Sequence, residues 1–146
     1  MREPRTDPPV ANLTCILERT SEAILVRAVG EIDLATIPTL WSSLTALLED
    51  HPNVVVDLNG IQYIESAGIR ALLDAHRLFI QSGQRLVLAE ASRIFRMLLR
   101  EIAGLEQAIP VFTSVGAALA SFRSTDGLLP ETRSGTVQPP TNLRAA

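Results

Sequence analysis

The sequence predicts an α/β fold, a single domain with a mixed, mostly parallel sheet of four to five strands and about four helices. Three observations predict it. The apolar pattern switches repeatedly between short β-rich runs and helical spacing. Asn53-Val-Val-Val-Asp-Leu58 is a continuous β-branched run of the kind that forms a strand buried on both faces. The length, 146 residues, suits one domain and leaves little room for two.

Each element follows from local pattern. Leu13–Arg19 and Ala23–Val29 are short and β-rich, and Thr20-Ser21-Glu22 between them suggests an opening antiparallel pair. On the first strand Leu13, Cys15 and Leu17 share a face and are expected to be buried, with Cys15 a small hydrophobe. Ile37, Leu40, Leu44, Leu47 and Leu48 then recur at helical spacing, with Thr36 placed as N-cap and Pro38 in the first turn. The β-branched strand follows and ends in a predicted loop through Asn59-Gly60. A second helix opens near Ser66 with Ile69, Leu72, Leu73, His76, Phe79 and Ile80 as its apolar stripe, and Ser82-Gly83 stops it. Leu86-Val-Leu88 is a strand, Ser92 caps a third helix through Ile102, and Gly104 ends it. Ile109–Phe112 forms the last strand, and a last helix starting near Thr113 is lined by Val115, Ala118, Leu119 and Phe122.

Prolines mark the boundaries. Pro4, Pro8, Pro9, Pro130, Pro139 and Pro140 cluster at the two ends, and the last stretch is rich in Ser, Thr, Pro and Gly without periodicity. The expected organisation is a flexible tail over 1–12, a folded domain over 13–123 and a disordered tail over 124–146.

Composition excludes several classes. All 13 basic residues are arginine, which removes the P-loop lysine, Schiff-base chemistry and a Ser-Lys dyad together. A lone Cys15 excludes an internal disulfide and any multi-cysteine metal site. A net charge of −3 gives no electrostatic footprint for nucleic acid. No apolar run approaches a membrane span, and the N-terminus shows no secretory pattern, so a cytoplasmic location is expected. No cofactor and no metal site are expected.

In a sheet of this kind functional groups gather beyond the carboxyl ends of the strands. Gly30-Glu-Ile-Asp33 and the stretch from Asp57 to Ser66 fall there, bringing Glu31, Asp33, Asp57 and Glu65. Charge is lopsided as well: residues 13–65 carry two Arg against eight acids, whereas 66–123 carry seven Arg against four. For any one acid, a helix cap or a solvated loop is the plainer explanation. Ser66 stands at the strand–loop–helix junction, where free N–H groups and the positive end of a helix dipole meet. From position alone, an N-cap is its commonest role. As a hydrolase nucleophile it lacks half the elbow signature, having Ile64 where glycine belongs, and His76 lies about 15 Å down the same helix. A phosphoaspartate receiver needs a lysine, and no strand is followed by a dinucleotide-binding glycine pattern.

The run Val54-Val-Val-Asp-Leu-Asn-Gly-Ile-Gln-Tyr-Ile-Glu-Ser-Ala-Gly68 resembles the hallmark of STAS domains, the family of anti-sigma factor antagonists. That hallmark is an apolar strand, Asp-Leu, an aromatic-apolar pair, then Asp-Ser-Ser/Thr-Gly opening a helix. Asp57, Leu58, Tyr63, Ile64, Ser66 and Gly68 match it. Gly30-Glu-Ile-Asp33 with Pro38 and Leu40, Ala103-Gly-Leu105, and Ala117-Ala-Leu119 resemble further family segments. Glu65 stands where Asp is usual and Ala67 where Ser or Thr is usual; neither removes the phosphorylatable group.

The resemblance implies a STAS-like fold and a regulatory binding module, not an enzyme. Its partner is an anti-sigma factor that is also a serine kinase; unmodified antagonist binds it and frees the sigma factor, and serine phosphorylation ends the binding. Ser66 is the implied phosphorylated residue, with Asp33, Glu65, Gly68 and Arg70 as its surround or as partner contacts. A phosphate adds about −1.5 to −2 charge. A helix N-terminus tolerates it, and Arg70, one turn on, is within reach. Beside Glu65 and Asp33 it builds a strong negative patch, which abolishes docking and leaves the fold intact. The alternative is a STAS adaptor or scaffold subunit that is never phosphorylated and in which Ser66 is only a cap.

Overall fold

The computed structural model describes residues 12–50, 52–103 and 109–127. The chain opens with β1 (Leu13–Arg19) and β2 (Ile24–Ile32), paired antiparallel. Thr20 closes the turn between them: its hydroxyl donates to the Ala23 carbonyl at 2.7 Å and accepts from the N–H groups of Glu22 and Ala23. Then follow α1 (Ile37–Thr45), a 3-10 segment (Ala46–Asp50), β3 (Val54–Ile64), α2 (Ser66–Gln81), β4 (Leu86–Ala89), α3 (Arg93–Ala103), β5 (Val111–Phe112) and α4 (Val115–Gly127). The sheet has five strands in the order β1-β2-β3-β4-β5, with every pair after the first parallel. The fold is the mixed, mostly parallel α/β sheet with four helices that the sequence predicts. Most of the two expected tails, residues 1–11 and 128–146, lies outside those described, as do Gly104 and Leu105, while α4 runs on through Gly127, four residues past the expected domain end at 123.

Alternation along the strands divides the core into two layers. Ile24, Val26 and Ala28 of β2, Val54 and Val56 of β3, and Leu86 and Leu88 of β4 face α1, α2 and α3. They pack on Leu40 and Leu44, on Ile69, Leu72 and Phe79, and on Phe95 and Leu99. Leu25, Val55, Val87 and Ala89 face the other way and are covered by Ala118 and Phe122 of α4.

Two expectations need correction. The loop expected at Asn59-Gly60 is strand: β3 continues to Ile64 because β2, continuing to Ile32, supplies a partner for it. The extra length is absorbed by two register shifts, and Asp57 braces the first by accepting the Asn59 N–H at 2.9 Å. The buried face expected for β1 is also incomplete. Leu13 is buried, Cys15 is half-buried beside Ser43 of α1, and Leu17 is 49% exposed. β1 is the edge of the sheet, and Leu17 lies toward its uncovered end.

Candidate functional site

The parallel register sets Glu31 opposite Tyr63 and Ile32 opposite Ile64, so β2 and β3 end side by side. The chain leaves β3 through Glu65, whose extended backbone (φ −102, ψ 163) is held by its N–H donating to the Ile32 carbonyl at 3.0 Å. The helix α2 then starts at Ser66. Gly68 lets it start that close: a Cβ there would clash with Ile32 Cγ2 and lie 3.2 Å from the Ile32 carbonyl oxygen. Ile32 is fully buried, so the neighbour has no free path away.

This arrangement changes the role expected of Ser66. The N-cap position belongs to Glu65, which makes no side-chain capping bond, and Ser66 is the first helical residue. The reason is the hydrogen bond to Ile32, which keeps Glu65 extended and delays the helix by one residue. Ser66 is exposed, and its hydroxyl bonds to nothing among the described residues. It is therefore not a cap.

The acids predicted near it divide into two groups. Asp33 follows Ile32 directly and is half-buried. Its Oδ1 accepts the Thr36 N–H at 3.1 Å, while the Thr36 hydroxyl accepts the Asp33 N–H at 2.9 Å. That reciprocal pair starts α1 and fixes the Asp33 carboxylate; Thr36 itself makes no side-chain cap to α1. Glu65 Oε2 accepts from the Tyr63 hydroxyl at 3.4 Å. The Tyr63 phenol is pushed above its ordinary range, first by the Glu65 charge, then by desolvation, with Asp33 and Glu31 adding to it. Glu31, Asp33 and Glu65 thus converge on Tyr63, which is 51% exposed. Asp57 stands apart. It is buried, 3.7 Å from Arg27, and serves the strand.

Arg70 is exposed one turn beyond Ser66 and forms no ion pair among the described residues. His76 Nδ1 is 3.0 Å from the Leu86 carbonyl, and burial lowers its pKa, so the neutral ring donates to β4 as a core group. It has no route to Ser66, so among the described residues no histidine serves that serine as a base.

Sequence reasoning missed a groove of about 560 Å³ between the end of β3 and the start of α3. Leu58, Ile61, Tyr63, Ile64, Ile94 and Phe95 supply its apolar lining. Ile94 and Met97 are exposed although α3 buries Phe95 and Leu99. That misplacement on the polar side of an otherwise regular stripe is the signal that could have found it. At its base Glu90 adopts φ +64, and its Oε2 accepts the Val115 N–H at the start of α4.

No helix among the described residues is long and apolar enough to cross a membrane. Among curated protein sequences none matches. Solved structures similar to the chain include an anti-sigma factor antagonist from Mycobacterium paratuberculosis at 24% identity and TM-score 0.63, covering 76% of this chain and 94% of that one. The anti-sigma factor antagonist SpoIIAA in its unphosphorylated form is 16% identical with TM-score 0.61, over 77% of this chain and 98% of that one. The Bacillus cell fate determinant SpoIIAA in the phosphorylated form is 17% identical with TM-score 0.58, over 74% and 98%. At these identities the likeness is one of fold. The family description STAS domain matches residues 15–118, from the first strand to the last helix. On that span, together with the sheet order and helix placement, the chain belongs to the STAS domain family.

Proposed function

We propose that this STAS domain is an anti-sigma factor antagonist acting in the cytoplasm. It binds an anti-sigma factor and thereby releases a sigma factor, and phosphorylation of Ser66 by that partner, acting as a serine kinase, switches it off. It is a binding module and catalyses nothing itself. The observation that carries the reading is the Ser66 hydroxyl, exposed at the first position of α2 and engaged in no hydrogen bond among the described residues. A kinase can take such a group without first breaking a cap.

The surroundings suit a switch. The first turn of α2 holds no acidic side chain, so its N–H groups and dipole favour a phosphate at Ser66, and Arg70 stands one turn on. Glu65, Asp33 and Glu31 already make the junction negative, and about −1.5 to −2 more charge there repels an acidic partner surface. Gly68 keeps these groups in register by holding α2 against Ile32. Docking is lost while the core is untouched, because the Ser66 side chain is exposed and takes no part in the packing of Gly68 on Ile32.

The test is to incubate the protein with its isolated anti-sigma partner and ATP, map the phosphate, and compare affinities. Wild type gains phosphate at Ser66 and loses binding; Ser66→Ala binds permanently; Ser66→Glu binds weakly. If wild type gains none and Ser66→Glu binds as tightly as wild type, the domain is instead a STAS adaptor that is never phosphorylated.

A further inference from the structure

The described arginines divide by place. Arg27 is paired with Glu18 and Asp57, Arg77 with Asp74, and Arg123 with Glu22. Arg85 lies over the Phe122 ring at 4.9 Å, and Arg19 has a partner as well. The rest are Arg70, near the start of α2, and Arg93, Arg96 and Arg100 on α3. None of these has a carboxylate within ion-pair distance among the described residues. A chain of net charge −3 thus gathers its uncompensated positive charge mainly on one helix.

The three arginines of α3 share a face. Their spacing puts them within about 60° of one another around the axis and about 10 Å along it. Arg93 and Arg100 are exposed. Arg96 is half-buried and donates its Nε–H to the Ala91 carbonyl at 3.5 Å, which leaves its other donors for a partner. Met97 follows Arg93 by one turn and precedes Arg100 by one turn, and it is 48% exposed. Ile94, three residues before Met97, is 68% exposed and continues the apolar strip on the side away from the arginines. The helix's one acid, Glu101, pairs with none of the three. Phe95 and Leu99 supply the packing of α3 on the core.

We propose that this outer face of α3 binds an acidic segment of a partner protein, one that carries large apolar side chains among its carboxylates. Guanidinium groups take carboxylates in a two-pronged, directional pair, and three in a row fit a run of them. Met97 and Ile94 beside the row give the segment's apolar side chains a surface to cover. Arginine and methionine are the residue types enriched in protein interfaces, whereas aspartate, glutamate and lysine are depleted there. Other negative surfaces fit less well. A lipid surface would need the apolar face of α3, which Phe95 and Leu99 have already given to the core. A nucleic acid would meet a stripe only about 10 Å long on a chain that is acidic overall, and its backbone offers nothing apolar to Met97 and Ile94. The proposal depends neither on phosphorylation of Ser66 nor on the partner proposed for that junction.

The test is a titration of the full chain, labelled with nitrogen-15, with a short peptide of Glu-Glu-Leu repeats in about 0.05 M salt. The backbone amide signals of residues 93–101 move as peptide is added, and about 0.5 M salt suppresses the movement. Arg93→Gln with Arg100→Gln, both at exposed positions, weakens binding at least about tenfold. Met97→Ser weakens it as well, which a purely ionic contact would not show, and it stands in if the double variant fails to match the wild-type circular dichroism. Arg93→Glu with Arg100→Glu reverses the preference: a peptide of Lys-Lys-Leu repeats moves the α3 amides of that variant and not those of wild type. Amides of α3 that stay still, or a response confined to other elements, overturn the proposal. So does binding indifferent to both arginine variants and to Met97→Ser. A short DNA duplex or phosphatidylserine vesicles that move the same amides more strongly than the acidic peptide, at the same salt, also overturn it and assign the face to nucleic acid or membrane.

Discussion

Two strand–loop–helix junctions lie side by side in this sheet, and each contributes a serine. Between β4 and α3, Ser92 precedes the helix and its hydroxyl accepts the Phe95 N–H at 3.0 Å. Between β3 and α2, the serine comes one residue later, and Glu65 takes the capping position without making a capping bond. Both serines are exposed. One hydroxyl is consumed by its helix, and the other makes no hydrogen bond among the described residues. The difference is a single step of register, enforced by the Glu65 N–H bond to Ile32 and by the missing Cβ at Gly68.

The largest way to break this contrast is to push α2 off β2. Gly68→Ala places a methyl group against buried Ile32, and overpacking of this kind costs about 1–3 kcal/mol. The urea midpoint falls accordingly, and binding to the proposed anti-sigma partner falls with it because the start of α2 is displaced from the end of β2. An unchanged midpoint means the close approach of Gly68 to Ile32 does not set the register.

The contrast sharpens in a pair of alanine variants. Ser92→Ala loses a cap and about 1 kcal/mol. Ser66→Ala loses no hydrogen bond and stays within about 0.5 kcal/mol of wild type. Equal losses at the two positions would show that Ser66 is a cap after all.

Away from both junctions, His76 ties the second half of α2 to the Leu86 carbonyl at the start of β4. Burial lowers its folded pKa below the ordinary 6.5. The unfolded chain therefore binds the proton more readily, and stability rises with pH through that window. The urea midpoint is constant above about pH 6.5 and declines as pH falls below it. His76→Gln flattens that decline while leaving the acidic limb set by carboxylates.

The smallest effect reads the acidic junction directly. Tyr63 is the chain's one tyrosine, so phenolate absorbance titrates it alone. Its titration lies above the ordinary value of 10.0, and Glu65→Gln moves it back down, because Glu65 is the largest cause of the shift. A phenol indifferent to that substitution separates Glu65 from the ring.

The element order was legible because apolar period is a direct image of which face is covered. Val54, Val55 and Val56 announce a strand with helices on both faces, and Ile69, Leu72, Leu73 and Phe79 announce the helix that covers one of them. Asn59-Gly60 misled because that dipeptide is a turn former in isolation, and only the free length of β2 opposite it makes it strand. Leu17 misled because alternation reports a face and not whether anything reaches it. At the site, Ser66 and its acids could be picked out by residue type and position. Their convergence could not, because Asp33 and Glu65 are brought to the same end of the sheet by the Ile32–Ile64 register and by no local spacing. Nor could the one-residue offset of Ser66, which depends on a hydrogen bond between two strand ends. The groove was hidden for a similar reason: its walls come from β3 and α3, which are far apart in the chain.

The strand order carries a kinetic consequence. Because every strand pairs with its neighbour in sequence, no strand has to be threaded between two others that are already in place. Loop closures stay short, and the sheet can grow from one edge to the other as the chain is synthesised. Glu31, Asp33, Tyr63, Glu65, Ser66 and Arg70 all lie within the first 70 of 146 residues. The neighbourhood of Ser66 is thus drawn from the early part of the nascent chain, and α3 and α4 are added to a sheet whose first three strands have already met.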